Sequence, residues 1–248
     1  MPKPWYIDGF GRHYLELYAH RNEREAAEAI ALLEGAGLSL AGRRILDLGC
    51  GAGRHLQILR RRGARAFGLD LSWPLLDEAR RHTGPGLALL RGDMRALPLR
   101  DACLDAVLSM FTSFGYFHGD EENWRVLEEV ARVLAPGGAF LFDFLNRRTV
   151  ELRLQAASEK RGRRWQASES RRIEGDRVIK AVEVREQGSG APPLRYEESV
   201  RLFRPQEIRD RLGRLGFLEA NAWGNYAGEV FDEASSPRFI LFLRKKMP

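Results

Sequence analysis

The residues best suited to bind a ligand lie in one short stretch, residues 46–53, with the sequence LDLGCGAG. Its three alternating glycines allow positive φ angles and let the backbone approach a ligand closely. The stretch follows an apolar run and precedes a helical one, so the free N–H groups of a helix N-terminus lie behind it. This arrangement predicts a site for a ligand with negative charge.

The glycine spacing differs from that of the common nucleotide-binding loops. A dinucleotide fingerprint requires G-x-G-x-x-G. Its third glycine position holds Arg54 when counted from Gly49 and Leu56 when counted from Gly51. The stretch is not a Walker loop either. The pattern present is G-x-G-x-G, with the carboxylate of Asp47 two residues ahead of it.

Two more acidic residues follow the next apolar runs. Asp70 lies 21 residues after Gly49, where a carboxylate can accept hydrogen bonds from both hydroxyls of a ribose. Asp93 follows the third run, where an acid can hydrogen-bond an exocyclic amine, and Met94 can lie against a flat ring. For each acid taken singly, the alternative is a helix N-cap or a surface carboxylate.

An aromatic stretch, residues 111–118 with the sequence FTSFGYFH, follows the fourth apolar run. It borders the crevice in which an open α/β sheet binds its ligand, and aromatic faces attract a cation. Core packing is the alternative for each ring. His118 is a candidate base near neutral pH, with an exposed loop histidine as the alternative.

Apolar runs that alternate with helical segments position these residues. We predict strands at 44–48, 64–71, 87–91, 104–110 and 139–144, helices at 14–38, 55–62, 73–81 and 123–134, and a turn at 136–138. Such strands form a parallel sheet covered on both sides. A helix at 205–215 and strands at 217–223 and 239–243 complete a doubly wound, Rossmann-like α/β fold with a seven-stranded sheet.

The pattern changes between residues 147 and 204, which predicts a small antiparallel β insertion. Strands at 165–173 and 178–186 flank turn residues 174–176, and another strand follows at 194–203. The chain thus divides into an N-terminal helical segment at 1–38, a Rossmann-like domain at 39–146 and 205–248, and the insertion. Residues 147–205 hold 15 basic and 9 acidic residues. The difference, +6, equals the net charge of the whole chain. They form either a solvated surface or a docking site for nucleic acid or an acidic substrate.

Composition places the chain among ordinary globular proteins. Of its 248 residues, 44% are hydrophobic and 30% are charged, and no apolar run approaches the ~18 residues that cross a membrane. The N-terminus has no apolar signal core, and two cysteines make no disulfide framework. We therefore expect a cytoplasmic protein. The five histidines show no paired ligand spacing, so we predict no metal.

Taken together, the motifs resemble those of the class I S-adenosylmethionine-dependent methyltransferases. The matching pieces are ILDLGCGAGR at 45–54, GLDLS at 68–72, GDM at 92–94, LDAV at 104–107 and RVLAPGG at 132–138. Five motifs in this order and spacing are specific for that family. The resemblance is dense over residues 14–146 and looser over 205–248, and it implies S-adenosylmethionine as the cofactor.

The resemblance also implies roles for individual residues. In that arrangement the glycines shape the turn under the methionine part of the cofactor, and the first acid holds its amino group. The second and third acids bind the ribose hydroxyls and the adenine amine, Leu71 and Met94 flank the adenine, and Phe111 closes the pocket near the sulfonium. Tyr14 and Arg21 correspond to a lid that covers the cofactor in related bacterial enzymes. The implied cofactor residues are Tyr14, Arg21, Asp47, Leu48, Gly49, Cys50, Gly51, Gly53, Asp70, Leu71, Asp93, Met94 and Phe111.

The implied reaction transfers a methyl group to an N or O atom of a small molecule. Expected substrate residues are Phe114, Tyr116, Asn146, Tyr196 and Tyr226. No catalytic residue is assigned, since the cofactor brings the hard chemistry. The alternatives are an RNA methyltransferase that docks through the basic insertion, a nonenzymatic cofactor-binding regulator and, more distantly, a nicotinamide oxidoreductase. We expect a monomer or homodimer with a small-molecule acceptor, rather than a nucleic-acid or membrane partner.

Overall fold

The structure is a computed structural model that describes residues 4–19, 23–84 and 86–247. Its helices are α1 (Trp5–Gly9), α2 (Arg12–Leu17), α3 (Glu23–Gly35), α4 (Arg54–Arg61), α5 (Trp73–Thr83), α6 (Asp120–Val133), α7 (Arg147–Arg153) and α8 (Pro205–Arg214). Its strands are β1 (Arg44–Leu48), β2 (Arg65–Asp70), β3 (Ala88–Arg91), β4 (Leu104–Ser109), β5 (Leu134–Leu145), β6 (Ala157–Arg161), β7 (Trp165–Glu174), β8 (Arg177–Glu186), β9 (Leu194–Arg201), β10 (Phe217–Trp223) and β11 (Arg238–Lys245). Within these described ranges, no helix combines the length and apolar character needed to cross a membrane.

Seven strands form the large sheet in the order β10-β11-β5-β4-β1-β2-β3. β1 pairs in parallel with both β2 and β4, while β10 and β11 add antiparallel pairs at one edge. The predicted doubly wound α/β fold with a seven-stranded sheet is therefore confirmed. The chain moves outwards from β1 to β3 and then returns to β4 on the other side of β1. A ligand crevice opens at the carboxyl ends of the strands at such a switch point.

β5 is the most deeply buried strand of this sheet. It is fully buried from Phe140 to Phe144, because neighbouring strands cover both edges and helices cover both faces. The turn predicted at 136–138 lies inside this strand instead. There the pairing with β4 shifts register between Leu104 and Ala106, and Gly137 has a φ of +73°. The glycines at 137 and 138 therefore form a bulge within β5 rather than a turn that reverses the chain.

Four strands form a separate antiparallel sheet in the order β6-β7-β8-β9. The predicted hairpin is present, with Glu174 paired to Arg177 and Gly175 at a φ of +59° in the turn. The helix α7 and the edge strand β6 were not predicted. β6 has the sequence ASEKR, whose short, polar composition contains no apolar alternation. The boundaries of the lid and of the insertion stay predictions.

The N-terminal segment differs from the single helix predicted over 14–38. α2 ends at Leu17, and α3 begins at Glu23. Tyr18 leaves the helical conformation, with φ of −115° and ψ of 22°. Its hydroxyl donates to a carboxylate oxygen of Glu169 at 2.6 Å. A contact with the small sheet thus accompanies a break that the local helical pattern does not reveal, since tertiary context overrides propensity.

Candidate active site

A cavity lies at the carboxyl ends of β1, β2 and β4, where the switch in strand order predicts it. The glycine loop, the residues after β2, β3 and β4, and the helices α1 and α2 surround it. The structure brings the following predicted cofactor residues together at its surface: Tyr14, Gly49, Cys50, Gly51, Asp70, Leu71, Asp93, Met94 and Phe111. These nine residues, which are spread over residues 14–111 of the chain, thus converge on one cavity.

The glycine loop adopts a conformation that other residues resist. Gly49, Gly51 and Gly53 have φ of +76°, +53° and +78°, which only glycine adopts without strain. A Cβ on Gly49 would lie 2.8 Å from the hydroxyl oxygen of Ser113, so this position also lacks room for a side chain. The N–H of Gly49 donates to the carbonyl of Leu69 at 2.8 Å. The loop is therefore tied to β2 and shaped by its own backbone.

Asp70 ends β2 with its carboxylate between two backbone donors. It accepts hydrogen bonds from the N–H of Gly51 at 2.9 Å and from that of Ser72 at 2.8 Å. Burial raises the pKa of Asp70 above its ordinary value, although both hydrogen bonds favour the ionised form. Each carboxylate oxygen accepts more than one donor. The side chain can therefore also accept the two hydroxyls of a ribose.

Asp93 lies at the edge of the cavity in a close ion pair with Arg95. Nη2 of Arg95 lies 2.6 Å from Oδ2 of Asp93, and Nη1 of the same guanidinium binds Glu122. Partial burial opposes ionisation, but the hydrogen bonds and charge of Arg95 outweigh it and lower the pKa of Asp93. The ionised carboxylate is a suitable acceptor for a ring amine, and Met94 and Leu71 line the cavity near it.

The turn after β4 holds Phe111 in a rare backbone conformation. Phe111 and Thr112 have φ of +53° and +64°, which costs of order 1–3 kcal/mol for each residue. The buried carboxylate of Asp143 accepts the N–H of Phe111 at 2.7 Å and also binds Arg238. Arg238 in turn donates to Oγ1 of Thr112 at 3.1 Å. This buried ion pair therefore holds the turn that places the Phe111 ring against the cavity.

Aromatic rings of the N-terminal segment cover the cavity. Tyr14 stacks on Tyr18 with ring centres 4.5 Å apart and meets Phe10 edge to face at 5.1 Å. The hydroxyl of Ser72 donates to the carbonyl of Phe10 at 2.6 Å. On the other side, the hydroxyl of Tyr18 donates to Glu169. The segment is thus fastened both to the large sheet and to the small one.

Glu169 on β7 is the centre of the second attachment. Its side chain is completely buried and accepts hydrogen bonds from Tyr18 at 2.6 Å and from Ser158 at 2.8 Å. Nζ of Lys180 lies 3.8 Å from Glu169 and donates to the Tyr18 hydroxyl at 2.9 Å. Burial opposes ionisation, but the hydrogen bond from Tyr18 and the charge of Lys180 lower the pKa of Glu169 to about 2. The N-terminal segment therefore contacts an ionised, fully buried carboxylate through Tyr18.

The structure corrects two of the predicted substrate residues. Phe114 is 1% exposed and packs in the core against Phe142 and Phe203, with ring centres 5.3 and 5.5 Å away. Asn146 is completely buried and caps the N-terminus of α7, while its amide donates to the carbonyl of Ser236 at 2.7 Å. Both residues follow strand ends, as predicted, but their side chains face the interior.

The remaining predicted substrate residues occupy three different places. Tyr116 lines the cavity. Tyr196 packs beside His13, with ring centres 6.1 Å apart, between the lid and the small sheet. Tyr226 packs against Phe111 and donates its hydroxyl to the carboxylate of Asp143. Neither Tyr196 nor Tyr226 lines the cavity, and His118 is exposed outside it.

Three other predicted cofactor residues, Asp47, Leu48 and Gly53, do not line the cavity. Asp47 and Leu48 are each 1% exposed at the end of β1, beneath the loop. Gly53 is the N-cap residue that precedes α4, and a Cβ there would lie 3.1 Å from Ala79. Arg21 lies outside the described residues. Conversely, His55 lines the cavity although the sequence analysis assigns it no role. Its position two residues after the last glycine is the signal that could have revealed it.

Comparison with known proteins agrees with this geometry. Residues 45–138 match the family described as "Methyltransferase domain". The chain is 37% identical over 138 residues to a fatty-acid O-methyltransferase of Mycolicibacterium smegmatis, a match that covers 54% of this chain and 44% of that protein. It is 36% identical over 99 residues to a dTDP-3-amino-3,4,6-trideoxy-alpha-D-glucopyranose N,N-dimethyltransferase of Streptomyces venezuelae, covering 40% and 41%. The chain spans about two fifths of the length of the curated relatives it matches.

The fold is shared over nearly the whole chain. An S-adenosylmethionine-dependent methyltransferase from Clostridium acetobutylicum superimposes with a TM-score of 0.78 at 18% identity, covering 96% of this chain and 98% of that one. The fold is that of this neighbour, and residues 45–138 match the methyltransferase domain, so the resemblance indicated by the motifs is confirmed. Residues 45–138 are the matched methyltransferase domain, and S-adenosylmethionine is the cofactor of this class of enzyme.

The cavity also fits this cofactor on structural grounds. The backbone of Gly49 lines the cavity without a side chain, and a Cβ there would clash with Ser113. The carboxylate of Asp70 stands where two hydroxyls can donate to it. Oδ2 of Asp47 is a buried polar atom without a hydrogen-bond partner among the described residues. These three features suit a ligand with a ribose and a charged amino group.

Proposed function

We propose that this protein transfers a methyl group from S-adenosylmethionine to an N or O atom of a small molecule. The observation that supports the proposal most directly is the cavity, which the glycine loop, Asp70, Asp93 and Phe111 line together. Among the relatives with matching sequence, one is named for O-methylation of a fatty acid and another for N,N-dimethylation of an amino sugar. Both acceptor atoms therefore belong to the proposal.

The protein's contribution to such a reaction is binding, orientation and the exclusion of water. The bound cofactor supplies a methyl group already activated for an in-line displacement. Asp70 and Asp93 hold the nucleoside end, and the aromatic lid around Tyr14 covers the cavity. Alignment of this kind can supply about 7–11 kcal/mol of the barrier. Phe111 and Tyr116 add aromatic faces that favour positive charge.

The charges of the insertion give less support to an RNA substrate. Arg172 pairs with Glu174 and Glu197, and Arg195 pairs with Glu183. RNA binding draws its affinity from basic groups that neutralise phosphates, whereas these guanidinium groups already have carboxylate partners. We therefore favour the small-molecule acceptor. We also propose that the insertion, residues 147–204, serves chiefly to hold the lid, residues 1–38, over the cavity.

Calorimetric titration with S-adenosylmethionine and S-adenosylhomocysteine tests the cofactor assignment, with NADH as the control ligand. We expect micromolar affinity for the first two ligands and no binding of NADH, because the glycine register does not fit a dinucleotide. Binding of NADH alone would contradict the proposal. Binding of none of the three would indicate a cavity that has lost its cofactor function.

Transfer of a labelled methyl group to a panel of acceptors tests the reaction itself. The panel contains amino sugars, aliphatic amines, fatty acids and phenols, with a structured RNA as the control substrate. We expect label on a small molecule. Label on the RNA alone would support the RNA methyltransferase instead. Cofactor binding without transfer to any member of a broad panel would favour a nonenzymatic regulator.

A further inference from the structure

Two buried polar atoms beside the glycine loop have no hydrogen-bond partner among the described residues. They are Nε2 of His55 and Oδ2 of Asp47. His55 is 4% exposed and Asp47 is 1% exposed, so bulk water does not replace the missing partners. A buried polar group left unpaired costs about 1–3 kcal/mol, and a charged one costs more. Unpaired groups of this kind beside a cavity call for a partner that the described residues do not supply.

The two side chains face each other. Nδ1 of His55 lies 3.5 Å from Oδ2 of Asp47. A carboxylate beside Nδ1 favours the tautomer that carries its proton there, because the proton then lies on the side of the negative charge. Nε2 consequently keeps a lone pair and is a hydrogen-bond acceptor. The imidazole lines the cavity, with its ring centre 5.4 Å from that of Phe111.

A positive charge, the guanidinium of Arg54, lies next to this acceptor. Arg54 precedes His55 at the start of α4, and its guanidinium lines the cavity 3.9 Å from the centre of the Phe111 ring. The same guanidinium lies 3.9 Å from a carboxylate oxygen of Glu25, and its five N–H donors also suit a carboxylate ligand. A neutral imidazole backed by the charge of Asp47 suits an ammonium. An α-amino acid carries both groups on one carbon, and Arg54 and His55 both line the cavity.

We infer that Nε2 of His55 accepts a hydrogen bond from the α-ammonium group of the cofactor, while Asp47 holds the imidazole in the acceptor tautomer. The inference rests on the proposed function, since it places S-adenosylmethionine in this cavity. It changes the role expected for Asp47, which does not line the cavity and acts through His55 instead. His55 is thus a binding residue and Asp47 a positioning residue.

Cofactor analogues that differ in one charged group test this assignment. S-adenosylhomocysteine carries both the ammonium and the carboxylate. 5′-Deoxy-5′-(3-carboxypropylthio)adenosine lacks only the ammonium, and 5′-deoxy-5′-(3-aminopropylthio)adenosine lacks only the carboxylate. Calorimetry measures the affinity of each for the wild type, for His55→Phe, which fills the same space without nitrogen atoms, and for His55→Gln, whose amide oxygen restores an acceptor. Thermal unfolding of each variant shows whether it is folded.

We expect His55→Phe to weaken the two ammonium-bearing ligands roughly 10- to 100-fold, the range for a hydrogen bond to a charged group. The ligand without the ammonium should keep its affinity to within about twofold, and His55→Gln should recover most of the loss. Equal losses for all three ligands would reduce His55 to a packing role. A loss that follows the carboxylate would show that Nε2 donates, which overturns the inference. A wild type that binds no S-adenosylhomocysteine would instead refute the proposed function itself.

A second measurement needs no substitution of His55. Long-range ¹H–¹⁵N NMR of the wild-type imidazoles identifies the nitrogen that carries the proton, and the Asp47→Asn variant assigns the signal of the neighbouring ring. We expect the His55 proton on Nδ1, and a shift of the Nε2 signal when S-adenosylhomocysteine binds. A proton on Nε2 in the complex would overturn the inference, even where His55→Phe fails to fold.

Discussion

The two sides of the cofactor cavity are held in place by different means. On one side, the left-handed φ angles of Gly49 and Gly51 and a hydrogen bond to Leu69 shape the loop. On the other side, the lid depends on side chains that are far apart in the chain, such as Tyr18 and Glu169, which are separated by 151 residues. Backbone shape is set by contiguous residues, whereas long-range contacts are set by the assembled fold. The two sides should therefore respond differently to substitution.

The largest effect is expected at the loop. Gly49→Ala should weaken S-adenosylhomocysteine binding by more than ~100-fold, because a left-handed conformation costs an L-residue about 1–2 kcal/mol and overpacking adds about 1–3 kcal/mol. The added Cβ would lie 2.8 Å from Oγ of Ser113. Calorimetry measures the affinity.

Gly42→Ala is the matched control for that experiment. Gly42 has a φ of +74°, close to that of Gly49, but a Cβ there meets nothing within 4 Å. Its substitution should cost some stability and leave cofactor affinity unchanged. Similar affinity losses in the two variants would show that backbone strain alone, rather than close packing at the cavity, controls binding.

The lid should respond through stability and its dependence on pH. The pKa of Glu169 is lowered from its ordinary value of 4.5 to about 2. A carboxylate with a depressed pKa in the folded state stabilises the protein above pH 4.5, and this contribution is lost as the pH falls towards 2. Glu169→Gln should therefore lower the free energy of unfolding near pH 6 by up to about 3 kcal/mol. Denaturant unfolding measures it.

Below pH 4.5 the gap between wild type and Glu169→Gln should narrow. Glu174→Gln, an exposed carboxylate of the same strand that pairs with Arg172, is the control and should change stability by less than about 1 kcal/mol at any pH. A gap that stays constant with pH would mean that the charge of Glu169 does not contribute. If Glu169→Gln lost as much cofactor affinity as Gly49→Ala, the two sides of the cavity would not differ in their response to substitution.

A moderate effect is expected at the ribose position. Asp70→Asn keeps the shape of the side chain but replaces one acceptor oxygen with a donor. S-adenosylhomocysteine affinity should fall by ~1–3 kcal/mol, the scale for hydrogen bonds to a charged group. Asp77→Asn, on the exposed face of α5 beside Arg81, should leave the affinity unchanged. Unchanged affinity in Asp70→Asn would refute the ribose assignment.

The smallest effect is expected on the outer charges of the insertion. Arg172→Ser removes a partly exposed guanidinium that pairs with Glu174 and Glu197. Stability should change by no more than about 1 kcal/mol, since exposed pairs contribute little, and cofactor affinity should not change. Filter binding with a structured RNA should detect no difference from the wild type. A clear loss of RNA affinity would revive the nucleic-acid alternative.

The same contrast explains which parts of the site the sequence predicted. The glycine loop and the acid at the end of β2 can be predicted from short stretches of sequence, because the strand, loop and helix that position them are consecutive in the chain. Asp70 reaches the loop directly, through the N–H of Gly51. The seven-stranded α/β fold follows from the same alternation, and it is confirmed.

The predictions that the structure corrects concern residues whose side chains can point either into the cavity or into the core. Phe114 and Asn146 were placed at the cavity because they follow strand ends, and that position does not state which way a side chain points. Phe114 turns towards the phenylalanines of the core, and Asn146 turns towards a helix N-terminus. The helix α2 ends before Tyr18, whose hydroxyl bonds to Glu169. No pattern within residues 14–38 predicts this distant partner.

The distance along the chain between Tyr18 and Glu169 has a consequence during synthesis. A ribosome adds about 5–20 residues per second, so the 151 residues added after Tyr18, up to and including Glu169, take roughly 8–30 s. Throughout that interval the lid has emerged, but the strand that anchors it does not exist. During this time the rings of Phe10 and Tyr14 lack the contacts that the segment makes in the folded protein. They are therefore exposed to other nascent chains and to chaperones. The glycine loop is thus an early product of translation, and the closed cavity is a late one.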